Sequence, residues 1–174
     1  MNTRFFLVRL FAVVLFFMTA ISFSYAQDMG TQIGQVLAKL QEDSTPKGYQ
    51  NCIASLKGID AQYPGSTVPK YQIALQSLTY AVRNPHAKYT EEMLADAEEA
   101  IRQMQAIPDA DQSDILTLKG FYYMVYIVKD PAFNGPLYYA DVISYYAKAL
   151  KLNPDNQLAQ HLQQKFYEGM SQQM

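Results

Sequence analysis

The chain has 174 residues, with 14 Lys and Arg against 16 Asp and Glu, a formal net charge of −2, one cysteine and no tryptophan. That balance leaves no cationic surplus to neutralise a phosphate backbone, which excludes nucleic acid as the expected partner. One cysteine permits no internal disulfide, so stability has to come from a packed core, and the chain is long enough to form one as a single domain.

The N-terminus reads as a secretory signal peptide. Arg4 and Arg9 supply positive charge, an apolar run follows from Leu10 to Ile21, and Ser24-Tyr25-Ala26 places small residues where a signal peptidase cuts. The run is shorter than the roughly 20 residues that span a bilayer as a helix. Extending it backwards would bury Arg9, which is costly. Residues 1–26 are therefore expected to be removed, leaving a domain over 27–174 that is periplasmic or secreted and has no stable transmembrane segment. Losing two arginines makes that domain more acidic still. A lipid anchor does not fit, because the sole cysteine, Cys52, lies far from the cut.

Beyond the leader, apolar residues recur with helical period in seven segments: 28–41, 47–62, 67–83, 90–106, 111–129, 136–152 and 156–170. No stretch alternates as a strand does. The breaks carry Thr45-Pro46, Tyr63-Pro64-Gly65, Asn84-Pro85, Ile107-Pro108, Asp130-Pro131 and Asn153-Pro154. Breaks this short make neighbouring helices antiparallel, so the expected fold is all-α, a stack of antiparallel helix pairs. In 47–62 the residues Tyr49, Cys52, Ile53, Leu56, Ile59 and Tyr63 share one stripe, interrupted by Asp60. In 67–83, Ile73 and Tyr80 point away from the main stripe, so this helix should touch two neighbours. The 90–106 helix has one narrow stripe, from Met93 to Met104, as an edge helix does. The 111–129 helix is apolar nearly all round and belongs in the middle of the array. The 136–152 helix spreads its apolar residues, among them Tyr138, Tyr145 and Tyr146, over about half its circumference.

The run Tyr145-Tyr146-Ala147-Lys148-Ala149-Leu150-Lys151-Leu152-Asn153-Pro154-Asp155-Asn156 resembles the second helix and exit of a tetratricopeptide repeat. Aligned on Pro154, Tyr146 and Ala149 fall on the aromatic and small packing positions, and Val142 stands where Ala is usual. Leu116, Gly120 and Tyr123 match parts of a first helix. Ala159 and Tyr167 continue the pattern, with Gln163 and Gln164 replacing the usual Leu-Gly. Together with Asp130-Pro131 and Gly135-Pro136, these residues also resemble exported tetratricopeptide-like proteins of Gram-negative bacteria. The resemblance implies a TPR-like α-solenoid and an envelope compartment, and it implies no activity. A solenoid needs a capping helix, and the polar 156–170 segment suits that role.

Catalytic chemistry is not expected. His86 and His161 stand apart from each other and from Cys52, so no zinc spacing forms, and there is no phosphate loop or nucleophile elbow. His86 reads as a loop residue, His161 as a helix-surface residue and Cys52 as a buried, inert thiol. The acidic run Glu91, Glu92, Asp96, Glu98 and Glu99 follows Thr90 and reads as the solvated first turns of a well-capped helix. No cofactor or metal is expected.

The aromatic density is the distinctive feature. Nine aromatics fall between Phe121 and Tyr146, most of them tyrosine, whose hydroxyl resists full burial without a partner. They are either inter-helix packing or a binding surface. On the binding reading, Tyr122, Tyr126, Tyr138 and Tyr145 line a groove, and Phe133 sits at the tip of a loop from Lys129 to Pro136. The expected function is an exported helical-repeat module that binds or scaffolds a protein or peptide partner in the cell envelope, and is not an enzyme. The alternatives are a small-ligand or glycan binder using the same tyrosines and, third, a hydrolase with an unrecognised site.

Overall fold

A computed structural model describes residues 27–171. The expected leader, 1–26, lies outside the described residues. The fold is all-α, built of stacked antiparallel helix pairs, with no strand among the described residues. The helices are α1 (27–42), α2 (Pro46–Gln62), α3 (Thr67–Arg83), α4 (Thr90–Gln105), α5 (Gln112–Lys129), α6 (Pro131–Leu152) and α7 (Gln157–Ser171). None of them is long and apolar enough to cross a membrane.

Local chemistry starts most of these helices where the periodicity places them. Thr45, Ser66, Asp111, Asp130 and Asn156 each accept a backbone N–H of the following first turn through a side-chain oxygen. Pro46 and Pro131 occupy first-turn positions, where a missing N–H costs nothing. Thr90 departs from expectation. The cap position of α4 is Tyr89, which contributes no side-chain bond, and the Thr90 hydroxyl instead donates to the Asn84 carbonyl.

The helix order follows the stripes. The α4 stripe from Met93 to Met104 is buried against α3 and α5. On α3, Ile73 and Tyr80 are as buried as Ala74 and Leu78, because the helix packs against α2, α4 and α5. Helix α5 is the centre of the second half, packing on α3, α4, α6 and α7, most extensively on α6. There Val142, Tyr146 and Ala149 of α6 are fully buried, and the Tyr146 ring closes on Gly120. A Cβ at Gly120 would stand 2.6 Å from Tyr146 Cε1. The close approach of two helices at this point is the packing role of that glycine. Helix α7 buries Ala159, Leu162 and Phe166 and leaves His161, Gln164 and Lys165 exposed, as a cap does.

Two polar clusters tie the array. The awkward Asp60 is matched by Lys70, whose side chain is 6% exposed. Its Nζ donates to Asp60 Oδ1 at 2.5 Å and to the carbonyls of Pro64 and Ser66 at 3.0 and 3.3 Å. At the other end, Asn156 Nδ2 donates to Ser113 Oγ at 2.9 Å and Asp114 Oδ1 at 3.0 Å, while Ser113 Oγ donates to the Ala149 carbonyl at 3.0 Å. The start of α5, the end of α6 and the start of α7 thus share one network.

Burial, with Asp111 nearby, raises the Asp114 carboxyl above its ordinary range, and the Asn156 bond only partly offsets this. The first turn of a helix favours an acid, but burial outweighs that here. The folded chain therefore binds this proton more readily than the unfolded chain. Stability is lost above the ordinary carboxylate range and regained as pH falls through the raised folded value. Asp114→Asn removes the charge and keeps an acceptor for Asn156. Its thermal midpoint is expected to exceed wild type at neutral pH and to converge on it in acid, which a melting series against pH measures.

The sixth element corrects the sequence reading. The segment from Lys129 to Pro136, expected as a loop, contains a single connecting residue. Asp130 ends α5 and caps α6, with its Oδ1 accepting Phe133 N at 3.1 Å. Asn134 Nδ2 donates to the Tyr126 carbonyl at 2.7 Å and clasps the hairpin. Pro136 lies inside the helix, and near the N-terminus its missing donor deprives only the Ala132 carbonyl of a partner. Phe133 is consequently on the first turn of a helix, not at a loop tip.

Candidate functional site

The one-residue turn fixes how α5 and α6 face each other, and that register brings tyrosines together. Along α5, Lys119, Tyr122, Tyr123 and Tyr126 recur at helical spacing on one face. Along α6, Tyr138 and Tyr145 are two turns apart. Tyr123 joins the two sets: its ring stacks on Tyr145 with centroids 5.7 Å apart and an interplanar angle of 4°, and lies 5.1 Å from Tyr138 and 5.6 Å from Tyr122. Tyr126 completes the array, 5.1 Å from Tyr122 and 5.8 Å from Tyr138. All five rings are half-buried, with neither the full burial of Tyr146 nor the full exposure of a surface residue.

Tyr122, Tyr126, Tyr138 and Tyr145 are thus brought together as the spacing suggests. Phe133 is not part of the array; it is 69% exposed on the first turn of α6. The sequence reading did not select Tyr123, the ring that touches three others. Its signal was its place four residues after Lys119 and three before Tyr126.

The electrostatics keep two of these phenols, Tyr122 and Tyr123, neutral. Burial, the hydrogen bond shared with the Tyr126 hydroxyl at 3.2 Å and the nearby Glu98 push the Tyr122 phenol well above the ordinary tyrosine value, and burial does the same for Tyr123. Both of these hydroxyls remain able to donate at physiological pH. Those of Tyr123, Tyr138 and Tyr145 meet no hydrogen-bond partner among the described residues. Two cations border the rings: Lys119 Nζ is 6.0 Å from the Tyr145 centroid and Lys129 Nζ 5.5 Å from that of Tyr126. Lys129 also pairs with Glu91. Lys119 has no carboxylate partner among the described residues.

Beside the array, between α4 and α5, a half-open cleft of about 230 Å³ is lined by Glu98, Ile101, Arg102, Gln105, Lys119, Tyr122 and Tyr123. Arg102 is held by Glu99 at 2.6 Å. The acidic run is mostly engaged in this way: Asp96 pairs with Lys57 at 2.6 Å and Glu91 with Lys129. On another flank of α5, Val82, Met124, Ile127, Val128, Pro131 and Phe166 line an apolar cleft of about 240 Å³ with Lys165 at its rim. His86 and His161 are exposed on separate elements. Cys52 is 4% exposed, and burial pushes its thiol up to about 11, which leaves it unreactive.

Comparison with protein-family models, curated proteins and solved structures finds no match to this chain.

Proposed function

We propose that this chain is an exported helical-repeat module that binds a protein partner in the cell envelope, and that the tyrosine array on α5 and α6 is its contact surface. The observation that carries the reading is the array itself: five contiguous half-buried rings, three of them with unpartnered hydroxyls. A pure inter-helix core would bury these rings as it buries Tyr80 and Tyr146. Rigid tyrosines with free hydroxyls supply contact area and hydrogen bonds at low entropic cost. The array extends across two helices, and the cleft beside it, about 230 Å³, is smaller than the roughly 300–1,000 Å³ of a small-molecule pocket. Shape therefore favours a polypeptide over a glycan or other compact ligand.

The proposal includes kinship with tetratricopeptide repeats. The seating of Tyr146 on Gly120, with Val142 and Ala149 fully buried beside it, is what supports that part. Export rests on the charge, apolar core and small-residue exit of residues 1–26.

The test is co-purification from the native envelope. Wild type is compared with Tyr138→Ala/Tyr145→Ala and with Tyr138→Phe/Tyr145→Phe, all of matched helicity. A partner retained by wild type, lost by at least about tenfold with the alanine pair and partly retained by the phenylalanine pair supports the reading. A partner held equally by all three places the contact elsewhere.

A further inference from the structure

The array has a chemistry that selects among peptides. All of its free groups can donate: the hydroxyls of Tyr123, Tyr138 and Tyr145, which also accept, have no partner among the described residues, and Lys119 adds an ammonium without a carboxylate. A ligand that presents acceptors on a fixed lattice satisfies these donors. A polyproline II segment does this, because its carbonyls are fully solvated and its prolines carry no N–H. Such ligands dock on aromatic-lined grooves, each proline seated between rings.

The spacing agrees. Tyr138 and Tyr145 are seven residues apart on α6, about 10 Å at the rise of an α-helix. One turn of polyproline II, three residues, advances about 9 Å. The rings of Tyr126, Tyr138, Tyr123 and Tyr145 follow one another at 5.8, 5.1 and 5.7 Å, a ladder that alternates between α5 and α6. Charge sets the rest. The unpaired Lys119 stands at the Tyr145 end of the ladder. At the other end, Lys129 is already neutralised by Glu91. A carboxylate at the Lys119 end of the proline segment meets that ammonium, while Glu98 and Asp141, which act on Tyr122 and Tyr123, oppose negative charge along the rest of it.

From this geometry we infer that the tyrosine array receives a proline-rich peptide in the polyproline II conformation, with an acidic residue seated against Lys119. This rests on the array being the contact surface, and it specifies the class of partner.

The test uses the protein expressed from Met1 and purified as the cell delivers it. Its probes are three fluorescein-labelled synthetic peptides of about nine residues, three polyproline II turns: repeats of Pro-Pro-Glu, of Pro-Pro-Lys and of Gly-Gly-Glu. Fluorescence anisotropy is expected to show Pro-Pro-Glu binding at least about tenfold more tightly than either of the others. Tyr138→Ala/Tyr145→Ala should abolish that preference, and Tyr138→Phe/Tyr145→Phe should weaken it by several-fold without changing helicity. Lys119→Glu should reverse the order of the two proline peptides.

Equal binding of Pro-Pro-Glu and Gly-Gly-Glu overturns the inference, as does a charge preference that Lys119→Glu leaves unchanged. An unbiased peptide library separates the two levels of the argument. If it yields ligands that lack proline and are lost with Tyr138→Ala/Tyr145→Ala, the contact surface stands and the polyproline assignment falls. If no ligand depends on those tyrosines, both fall.

Discussion

Truncation of Tyr146 to alanine is expected to cost about 3–5 kcal/mol of folding stability, among the largest losses from any single side chain in this protein. The ring is fully buried between α5 and α6, its hydroxyl reaches only Met124 Sδ at 3.8 Å, and its ring carbons Cδ1 and Cε1 pack on Gly120. Tyr146→Phe gives up that weak bond alone and should cost under about 1 kcal/mol. The contact with Gly120 predicts a further result. In the wild-type background, Gly120→Ala gains about 1 kcal/mol of helix propensity, yet its methyl must enter a space 2.6 Å from a ring carbon. Overpacking of this kind costs about 1–3 kcal/mol, so the net effect is a loss. In the Tyr146→Ala background the space is open, and Gly120→Ala should be stabilising. Urea denaturation of the four proteins measures the coupling. Additive effects would show that the two residues do not meet.

The second large effect belongs to Lys70. Lys70→Met leaves the Asp60 carboxylate and the carbonyls of Pro64 and Ser66 without their donor, at a site where the lysine side chain is 6% exposed. Breaking a buried ion pair by removing one partner costs about 3–5 kcal/mol. The Asp60 side chain, 18% exposed, retains some water, which places the expectation at the low end of that range. Replacing both charges, as Asp60→Leu/Lys70→Met, should recover most of the loss, because the stranded charge is then gone. The double variant stays short of wild type by the contribution of the two carbonyls. A double variant as unstable as Lys70→Met would mean that the bonds to Pro64 and Ser66, not the ion pair, are what Lys70 supplies.

These residues also show what the sequence made legible. The helices α2 to α5 and the buried stripes of α2 and α4 follow directly from period and turn chemistry, and so does the central place of α5. On α3 the stripe reading is incomplete, because Ile73 and Tyr80 are more deeply buried than Tyr71, Leu75 and Val82. Asp60 was an anomaly in its stripe because its partner lies ten residues on, across a turn. Helical periodicity describes one helix at a time and cannot pair residues across that turn. The same limit concealed Tyr123. Its importance comes from contacts with Tyr138 and Tyr145 on another helix, and those contacts depend on the register between α5 and α6. That register is set by the single residue Asp130. Pro131, Gly135 and Pro136 together read as an eight-residue loop, for which no register can be stated. Pro131 in fact starts the helix, and Pro136 is tolerated early in it, so the break is far tighter than its composition suggests. Phe133 was misplaced for the same reason.

The central claim is that the array faces a partner and does not merely fill space between helices. It is tested most directly by placing a photo-crosslinking phenylalanine analogue at Tyr138, and in a second strain at the exposed Leu152 of the same helix, then irradiating intact cells that express the protein from Met1. The account predicts a discrete protein adduct from position 138 that is absent from position 152. No adduct from 138, or the same adducts from both positions, would contradict it and return the tyrosines to a packing role.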